Sequence, residues 1–213
     1  MNGTAAIFIA VFVAVAAFDW AAVHAGHRRI RAVTKPSCMV ALIAAALALD
    51  PADETAGVAL VVALALSTLG DVFLLGGDRP NLFVAGLSAF LLAHVAYIVA
   101  FWLDGVSPGG IVIGLLLGAL LVGTVGARVV AAAKAGEEPA LAGPVRAYVL
   151  VIAAMVTSAV GTGDALAILG AGLFASSDSL IAWERFVRSR PWGGLVIMVT
   201  YHLAQLLLVL SFV

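Results

Sequence analysis

Eight long apolar runs fill most of this sequence and limit its possible folds more than any other feature. A helix that crosses the hydrocarbon core of a bilayer needs about 20 apolar residues. Charged residues make up only 11% of the chain, against about 25% in soluble domains, so the chain cannot cover a water-facing surface. The sequence therefore predicts an all-α polytopic membrane protein with one domain over 1–213. Its expected spans are 3–24, 36–50, 55–75, 82–103, 109–132, 144–160, 164–184 and 192–213.

The basic residues predict the orientation of these spans. Every Lys and Arg lies in or beside an odd-numbered loop, and the even-numbered loops hold none. By the positive-inside rule the odd-numbered loops are cytoplasmic and both termini are outside. The first apolar run has no basic residue before it, so we expect a retained helix rather than a cleaved signal peptide. The expected location is the plasma or inner membrane.

Charge and cysteine content exclude several functions. The net charge is −1, and no basic patch of the size that nucleic acid requires is present. The single cysteine, Cys38, cannot form an intrachain disulfide and gives no metal-binding spacing. The sequence therefore predicts neither a nucleic-acid partner nor a cofactor, and it makes no prediction of the oligomeric state.

Two aspartates lie inside apolar runs. Asp71 follows Leu66-Ser67-Thr68-Leu69-Gly70, and Asp178 follows Phe174-Ala175-Ser176-Ser177. An aspartate in the middle of a membrane costs about 2.5–3.5 kcal/mol on insertion scales, which makes it a functional candidate. Each is followed by a histidine in another apolar run, His94 or His202. This spacing suggests a weak parallel repeat of four helices, with a shared site between the halves.

Most other unusual polar residues fall in the predicted cytoplasmic half of the spans. We expect them to share one pocket with the two aspartates, open toward the cytoplasmic leaflet. Ser67 can instead be a small packing residue, His94 a satisfied core histidine, and Lys35 and Arg146 interfacial anchors. If functional, Lys35 and Arg146 would bind a lipid phosphate. The full supporting set is Lys35, Ser67, His94, Tyr97, Arg146, Tyr148, Ser177, Tyr201, His202 and Gln205.

Two buried carboxyl groups are suited to acid-catalysed hydrolysis. In a low-dielectric pocket one carboxyl can keep its proton near neutral pH while the other is ionised. Such a pair can act on a substrate that reacts through an oxocarbenium-like state. Two alternatives use the same residues. The acids could carry protons in a transporter or lipid flippase, or His94, His202 and one aspartate could bind zinc in a lipid hydrolase.

An ordered set of short motifs resembles the YhhN-type membrane proteins, a family that includes lysoplasmalogenases. The similarity covers nearly the whole chain, and only the ordered set is specific. The motifs are Thr34-Lys35-Pro36, Leu66-Ser67-x-x-Gly70-Asp71-x-x-Leu74, Phe83-x-x-Gly86-Leu87-x-x-Phe90-x-x-x-His94-x-x-Tyr97, Arg146-x-Tyr148, Gly172-x-Phe174-x-x-Ser177-Asp178-x-x-Ile181 and Gln205.

The resemblance implies an eight-helix protein whose substrate is a lysophospholipid in the bilayer. It implies cleavage of the vinyl ether bond of a lysoplasmalogen, giving a fatty aldehyde and a glycerophospho headgroup, with Asp71 and Asp178 as the catalytic pair. Protonation of a vinyl ether at its β-carbon generates an oxocarbenium ion, and this reaction needs no metal. We expect one aspartate to supply the proton and the other to stabilise the cation and position water.

Overall fold

The computed structural model describes residues 2–49, 54–76 and 79–213, and their regular structure is helical. The first four helices, α1 to α4, are Gly3–His24, Arg28–Ala48, Glu54–Leu74 and Pro80–Asp104. The next two are α5, Pro108–Leu121, and α6, Ala127–Ala135, which the π-helical turn Val122–Gly126 joins into one span. A 3₁₀ turn, Pro139–Leu141, precedes the last three, α7 to α9: Ala142–Thr162, Ala165–Phe186 and Gly193–Leu210.

Eight helical segments within the described residues are long and apolar enough to cross a bilayer, as the sequence predicts. Large apolar side chains on the outside of the bundle are exposed, Ile7, Phe18, Leu116 and Leu169 among them. A water-soluble surface would not carry so many. The chain is therefore an integral membrane protein.

The second helix begins earlier than the sequence predicts. The expected span started at Pro36, but α2 begins at Arg28 and holds Pro36 inside it. The expected span was defined by the length of its apolar run, which does not include this first, basic part of the helix. Proline inside a transmembrane helix is tolerated because neighbouring groups can satisfy the freed carbonyl. The predicted turns at Asp50–Glu54 and at Gly76–Asn81 lie partly outside the described residues.

Neighbouring helices pack in antiparallel pairs. α1 packs mainly on α2, α3 on α4, α5 on α7, and α8 on α9. α4 also packs on α7, and α9 contacts both α1 and α2. These contacts place α4, α8 and α9 around a shared interior, where the unusual polar residues of the sequence are buried.

Glycines let α5 approach α7 closely. Gly110, Gly114 and Gly118 are four residues apart and face α7. A Cβ atom at Gly114 would lie 2.6 Å from the carbonyl oxygen and 2.7 Å from the Cα of Thr157. Small residues at such contacts are what membrane helices use to bring their backbones together.

Replacing Gly114 with alanine is expected to destabilise the protein by about 1–3 kcal/mol, because the added methyl group would overlap the α7 backbone. Thermal unfolding in detergent measures the change. Gly109→Ala is the matched control, since a Cβ at Gly109 meets nothing within 4 Å. Equal melting temperatures for the two variants would contradict the close contact.

Candidate active site

The first buried polar cluster, the Asp71 centre, consists of Lys35, Asp71 and Tyr201. Asp71 is fully buried on α3, and the Lys35 amine on α2 lies 2.8 Å from its Oδ1. The Tyr201 hydroxyl on α9 donates a 2.8 Å hydrogen bond to its Oδ2. The aspartate is therefore held from two sides by a cation and a hydroxyl, which compensates the cost of burying it.

Lys35 lies deeper than the sequence predicts. We expected it at a helix end, free to bind a lipid phosphate, but it is seven residues into α2 and only 7% exposed. A lysine on a membrane helix usually extends its amine toward the headgroups. Here a buried carboxylate lies closer, so the amine is directed into the bundle, and its charge is already paired.

The second cluster, the Asp178 centre, consists of His94, Tyr148 and Asp178. The Tyr148 hydroxyl on α7 donates a 2.7 Å hydrogen bond to Oδ2 of Asp178 on α8. His94 on α4 places its Nε2 3.2 Å from the same oxygen. Its other ring nitrogen, Nδ1, lies 2.6 Å from the carbonyl oxygen of Phe90. Three helices thus converge on this one carboxyl group.

Nε2 of His94 and Oδ2 of Asp178 are 3.2 Å apart but are not aligned as a hydrogen bond. A carbonyl oxygen only accepts, so Nδ1 of His94 must carry a proton to bond with Phe90. In the neutral ring Nε2 is then an acceptor, and it would repel an ionised carboxylate at 3.2 Å. The contact is favourable when Nε2 or Oδ2 holds one further proton. The pair is therefore suited to storing a proton and transferring it.

The two aspartates have separate partners. Within residues 2–49, 54–76 and 79–213, no hydrogen bond or ion pair joins Asp71 to Asp178. They are connected instead through rings: Tyr201, bonded to Asp71, packs edge-on against Phe174, with 5.5 Å between ring centroids. Phe174 in turn packs against His94 at 4.6 Å. The direct carboxyl pair that the sequence suggested is not formed, because each short side chain finds nearer partners and Phe174 fills the interior.

One apolar cavity reaches the Asp178 centre. It has a volume of about 680 Å³ including its open mouth, and both Asp178 and Tyr148 line it. Asp71 is not among its lining residues. The cavity extends from the Asp178 centre toward the end of the bundle where α3, α6 and α8 terminate. Its apolar wall includes Phe83, Leu87, Val125, Val149, Ile181 and Phe186. A hydrocarbon chain fits such a lining.

Ser67, Tyr97 and Gln205 form a buried contact at the middle of the bundle. The Tyr97 hydroxyl on α4 donates to Oε1 of Gln205 on α9. Ser67 on α3 is fully buried and lies beside Tyr97. None of these three lines the cavity. Their contacts connect α3, α4 and α9 rather than facing a ligand.

The remaining predicted residues make no hydrogen bond to either aspartate and have other partners. Nδ1 of His202 accepts a 3.0 Å hydrogen bond from the indole of Trp20 on α1. Ser177 donates to the Ile197 carbonyl and so ties α8 to α9. Arg146 is exposed on α7. The expected phosphate pair of Lys35 and Arg146 is therefore not assembled.

The contacts between the two halves of the chain are exchanged. Asp71 of the first half bonds to Tyr201 of the second, and Asp178 of the second half faces His94 of the first. Tyr97 and Gln205, which the proposed repeat makes equivalent, bond to each other. The agreement with the predicted repeat is partial, because His202, the expected equivalent of His94, bonds to Trp20 rather than to Asp71.

The zinc alternative needs His94, His202 and an aspartate together. Instead, His94 faces Asp178, and His202 lies against Trp20 and Phe12. Within the residues that the structure describes, no three His, Cys, Asp or Glu side chains are grouped to hold a metal ion. The arrangement therefore gives this alternative no support.

An ion pair at the cavity end of the bundle was missed by sequence reasoning. Nη2 of Arg185, at the end of α8, lies 2.6 Å from Oε2 of Glu138, in the loop before α7. Glu138 is in a polar loop, and Arg185 looks like an ordinary helix-end cation, so neither has a distinguishing pattern. Its position seven residues after Asp178 was the available signal.

The fold and site define a polytopic membrane protein with a buried acid facing an apolar cavity. The YhhN family model matches residues 30–212, and the chain belongs to this family. It is 36% identical over 149 residues to a protein named lysoplasmalogenase TMEM86B from Homo sapiens, covering 70% of this chain and 61% of that protein. The mouse protein of the same name is 38% identical over an equal share.

A bacterial relative extends the similarity. A protein named lysoplasmalogenase from Mycobacterium bovis is 32% identical over 192 residues, covering 88% of this chain and 72% of that protein. The chain spans about three fifths of the length of the mammalian relatives. No solved structure matches the chain.

Proposed function

We propose that this protein hydrolyses the vinyl ether bond of a lysoplasmalogen or a closely related lysolipid. The products are a fatty aldehyde and a glycerophospho headgroup. The observation that carries the proposal is the Asp178 centre: the Asp178 carboxyl lines an apolar cavity, and Nε2 of the buried His94, which does not line the cavity, lies 3.2 Å from its Oδ2. The names of the bacterial and mammalian relatives support the same reaction.

Asp178 supplies the proton in the first step. Oδ2 transfers its proton to the β-carbon of the vinyl ether, and the double-bond electrons form the new C–H bond. The carbon next to the ether oxygen becomes an oxocarbenium ion. The carboxylate left behind stabilises this cation while it keeps the hydrogen bond from Tyr148. A charge developing beside a fixed, buried counter-charge is stabilised strongly because little water screens it.

Water completes the reaction. It adds to the oxocarbenium carbon and gives one proton to the His94–Asp178 pair, which restores the starting state. The resulting hemiacetal loses its hydroxyl proton to the ether oxygen as the C–O bond breaks, giving aldehyde and alcohol. One water is consumed and the protein is unchanged. The catalytic role of Asp71 that the resemblance implies stays a prediction, since Asp71 lies outside the cavity.

The proposed site opens toward the cytoplasmic leaflet. The cavity wall includes Leu74 and Phe83 beside the α3–α4 loop, Val145 at the start of α7 and Phe186 at the end of α8. These are ends of the odd-numbered loops, which carry the basic residues. The positive-inside rule puts that end in the cytoplasm, with both termini outside.

Purified protein in detergent is expected to release fatty aldehyde from lysoplasmalogen, measured with a coupled aldehyde dehydrogenase. The matched control is the same lipid with a saturated alkyl ether, which has no double bond to protonate and should release nothing. Absence of aldehyde from the vinyl ether lipid, with folded protein, would disprove the proposed function.

A further inference from the structure

Arg185 lies at the edge of the cavity. Its guanidinium carbon stacks 3.9 Å from the ring centroid of Phe83, and Phe83 lines the cavity. The next residue, Phe186, lines the cavity as well. A cation held over an aromatic ring keeps its charge while one face is covered by hydrocarbon. The side chain therefore presents a positive charge where the apolar cavity meets the headgroup region.

The hydrogen-bonding capacity of Arg185 is only partly used. Nη2 bonds to Glu138, whose side chain is 36% exposed against 24% for Arg185. Among the described residues, Nε of Arg185 is buried and has no hydrogen-bond partner. Guanidinium presents its donors in a planar fork that matches the paired oxygens of a phosphate. A buried, unpartnered donor beside a partly exposed carboxylate marks a place for an anionic ligand.

We infer that Arg185 binds the phosphate of the lysolipid headgroup. In the absence of lipid the Glu138 carboxylate pairs with the Arg185 guanidinium, and the phosphate displaces this carboxylate when the lipid binds. The inference rests on the proposed function, and it assigns the phosphate to Arg185 in place of Lys35 and Arg146. Lys35 already pairs with Asp71. Arg146 is exposed and does not line the cavity.

The distance between Arg185 and Asp178 suits the substrate. Seven residues of α-helix separate them, a rise of about 10 Å. In a lysoplasmalogen, seven covalent bonds separate the vinyl ether β-carbon from phosphorus, which spans roughly 9 Å when extended. A phosphate at Arg185 would therefore leave the reactive carbon near the Asp178 carboxyl, with the alkenyl chain along the apolar wall.

A binding measurement tests the inference without depending on catalysis. The probe is a saturated alkyl-ether lysophosphocholine, which cannot be hydrolysed by this chemistry, titrated in maltoside detergent. Arg185→Gln is expected to weaken binding about tenfold to hundredfold, because charge-assisted bonds to the phosphate are lost. Glu138→Gln is expected to leave binding equal or tighter, because it removes the competing carboxylate. Arg188→Gln, an exposed arginine at the same end, is the matched control and should bind as the unaltered protein does.

Three results with these variants would overturn the inference. The first is equal binding of the probe by the Arg185→Gln and unaltered proteins. The second is an equal loss of binding in Arg185→Gln and Arg188→Gln. The third is a loss of binding in Glu138→Gln as large as in Arg185→Gln, which would show that only the ion pair matters. Displacement of the probe by equimolar diacyl phosphatidylcholine would also overturn it, because the arginine would then bind bulk bilayer headgroups.

Kinetics separate this inference from the proposed function. With lysoplasmalogen, Arg185→Gln should raise KM at least tenfold with little change in kcat, and the effect should vanish with an alkenylglycerol that lacks phosphate. Aldehyde release with an unchanged KM would disprove the role of Arg185 and leave the function standing. If binding of the alkyl probe depends on Arg185 but no aldehyde is released from the vinyl ether lipid, the proposed function is disproved and the role of Arg185 in binding stands.

Discussion

Asp178→Asn is expected to lower the rate of aldehyde release from lysoplasmalogen by about 10²–10⁴-fold, the usual contribution of a positioned general acid. The amide keeps the size of the carboxyl group and still accepts a hydrogen bond from Tyr148. It cannot give a proton to carbon or carry the charge that stabilises the oxocarbenium ion. Single-turnover measurements at saturating lipid isolate this chemical step from binding.

Asp164→Asn is the matched control for Asp178→Asn. Asp164 caps the start of the same helix, α8, where its Oδ1 accepts a 2.8 Å hydrogen bond from the Ala167 backbone. Asparagine caps helices about as well as aspartate. This variant should therefore keep both stability and rate. A folded Asp178→Asn protein with the full rate would show that the proton comes from another group.

Lys35→Met is expected to destabilise the protein by about 3–5 kcal/mol, the usual cost of removing one partner from a buried ion pair. The substitution leaves the Asp71 carboxylate buried with only Tyr201 as a partner. Methionine fills nearly the same volume as lysine, so the loss reports on charge more than on packing. Thermal unfolding in detergent measures it.

Adding Asp71→Asn to Lys35→Met is expected to restore most of the lost stability, because a neutral pair needs no counter-charge. A double variant as unstable as Lys35→Met would show that Lys35 acts through packing alone. The rate of the stabilised double variant also tests Asp71. A folded but inactive double variant would assign the Asp71 carboxyl to the reaction, and aldehyde release at the full rate would assign it to holding α2, α3 and α9 together.

The spans follow from the sequence because the bilayer imposes one length and one composition on all of them. The start of α2 could not be predicted from the bilayer thickness, because the basic residues before Pro36 lie outside the apolar run. The burial of Asp71 and Asp178 could be predicted because both lie inside apolar runs, and a carboxyl that is costly to bury there makes a functional candidate. Such arguments depend on a residue and its environment, not on its distant partners.

The partners of the two acids could not be predicted in the same way. His94 and Tyr148 reach Asp178 from helices whose rotation depends on packing such as the close contact of α5 with α7. Lys35 was placed near the headgroups because a lysine alone would extend that way. The buried position of Lys35 can be expected only once Asp71 is known to face it. The position of Arg185 at the edge of the cavity that reaches Asp178 could not be predicted, because the cavity is formed only by the packing of several helices.

The exchanged contacts between Asp71 and Tyr201 and between Asp178 and His94 bear on how the protein matures. Each half of the chain supplies a partner for the aspartate of the other half. During synthesis, the amino-terminal half must therefore stay in the membrane with Asp71 lacking its tyrosine until α9 is inserted. A protein truncated before α9 would lack Tyr201, one of the two partners of Asp71, while Asp178 would keep its contacts with His94 and Tyr148.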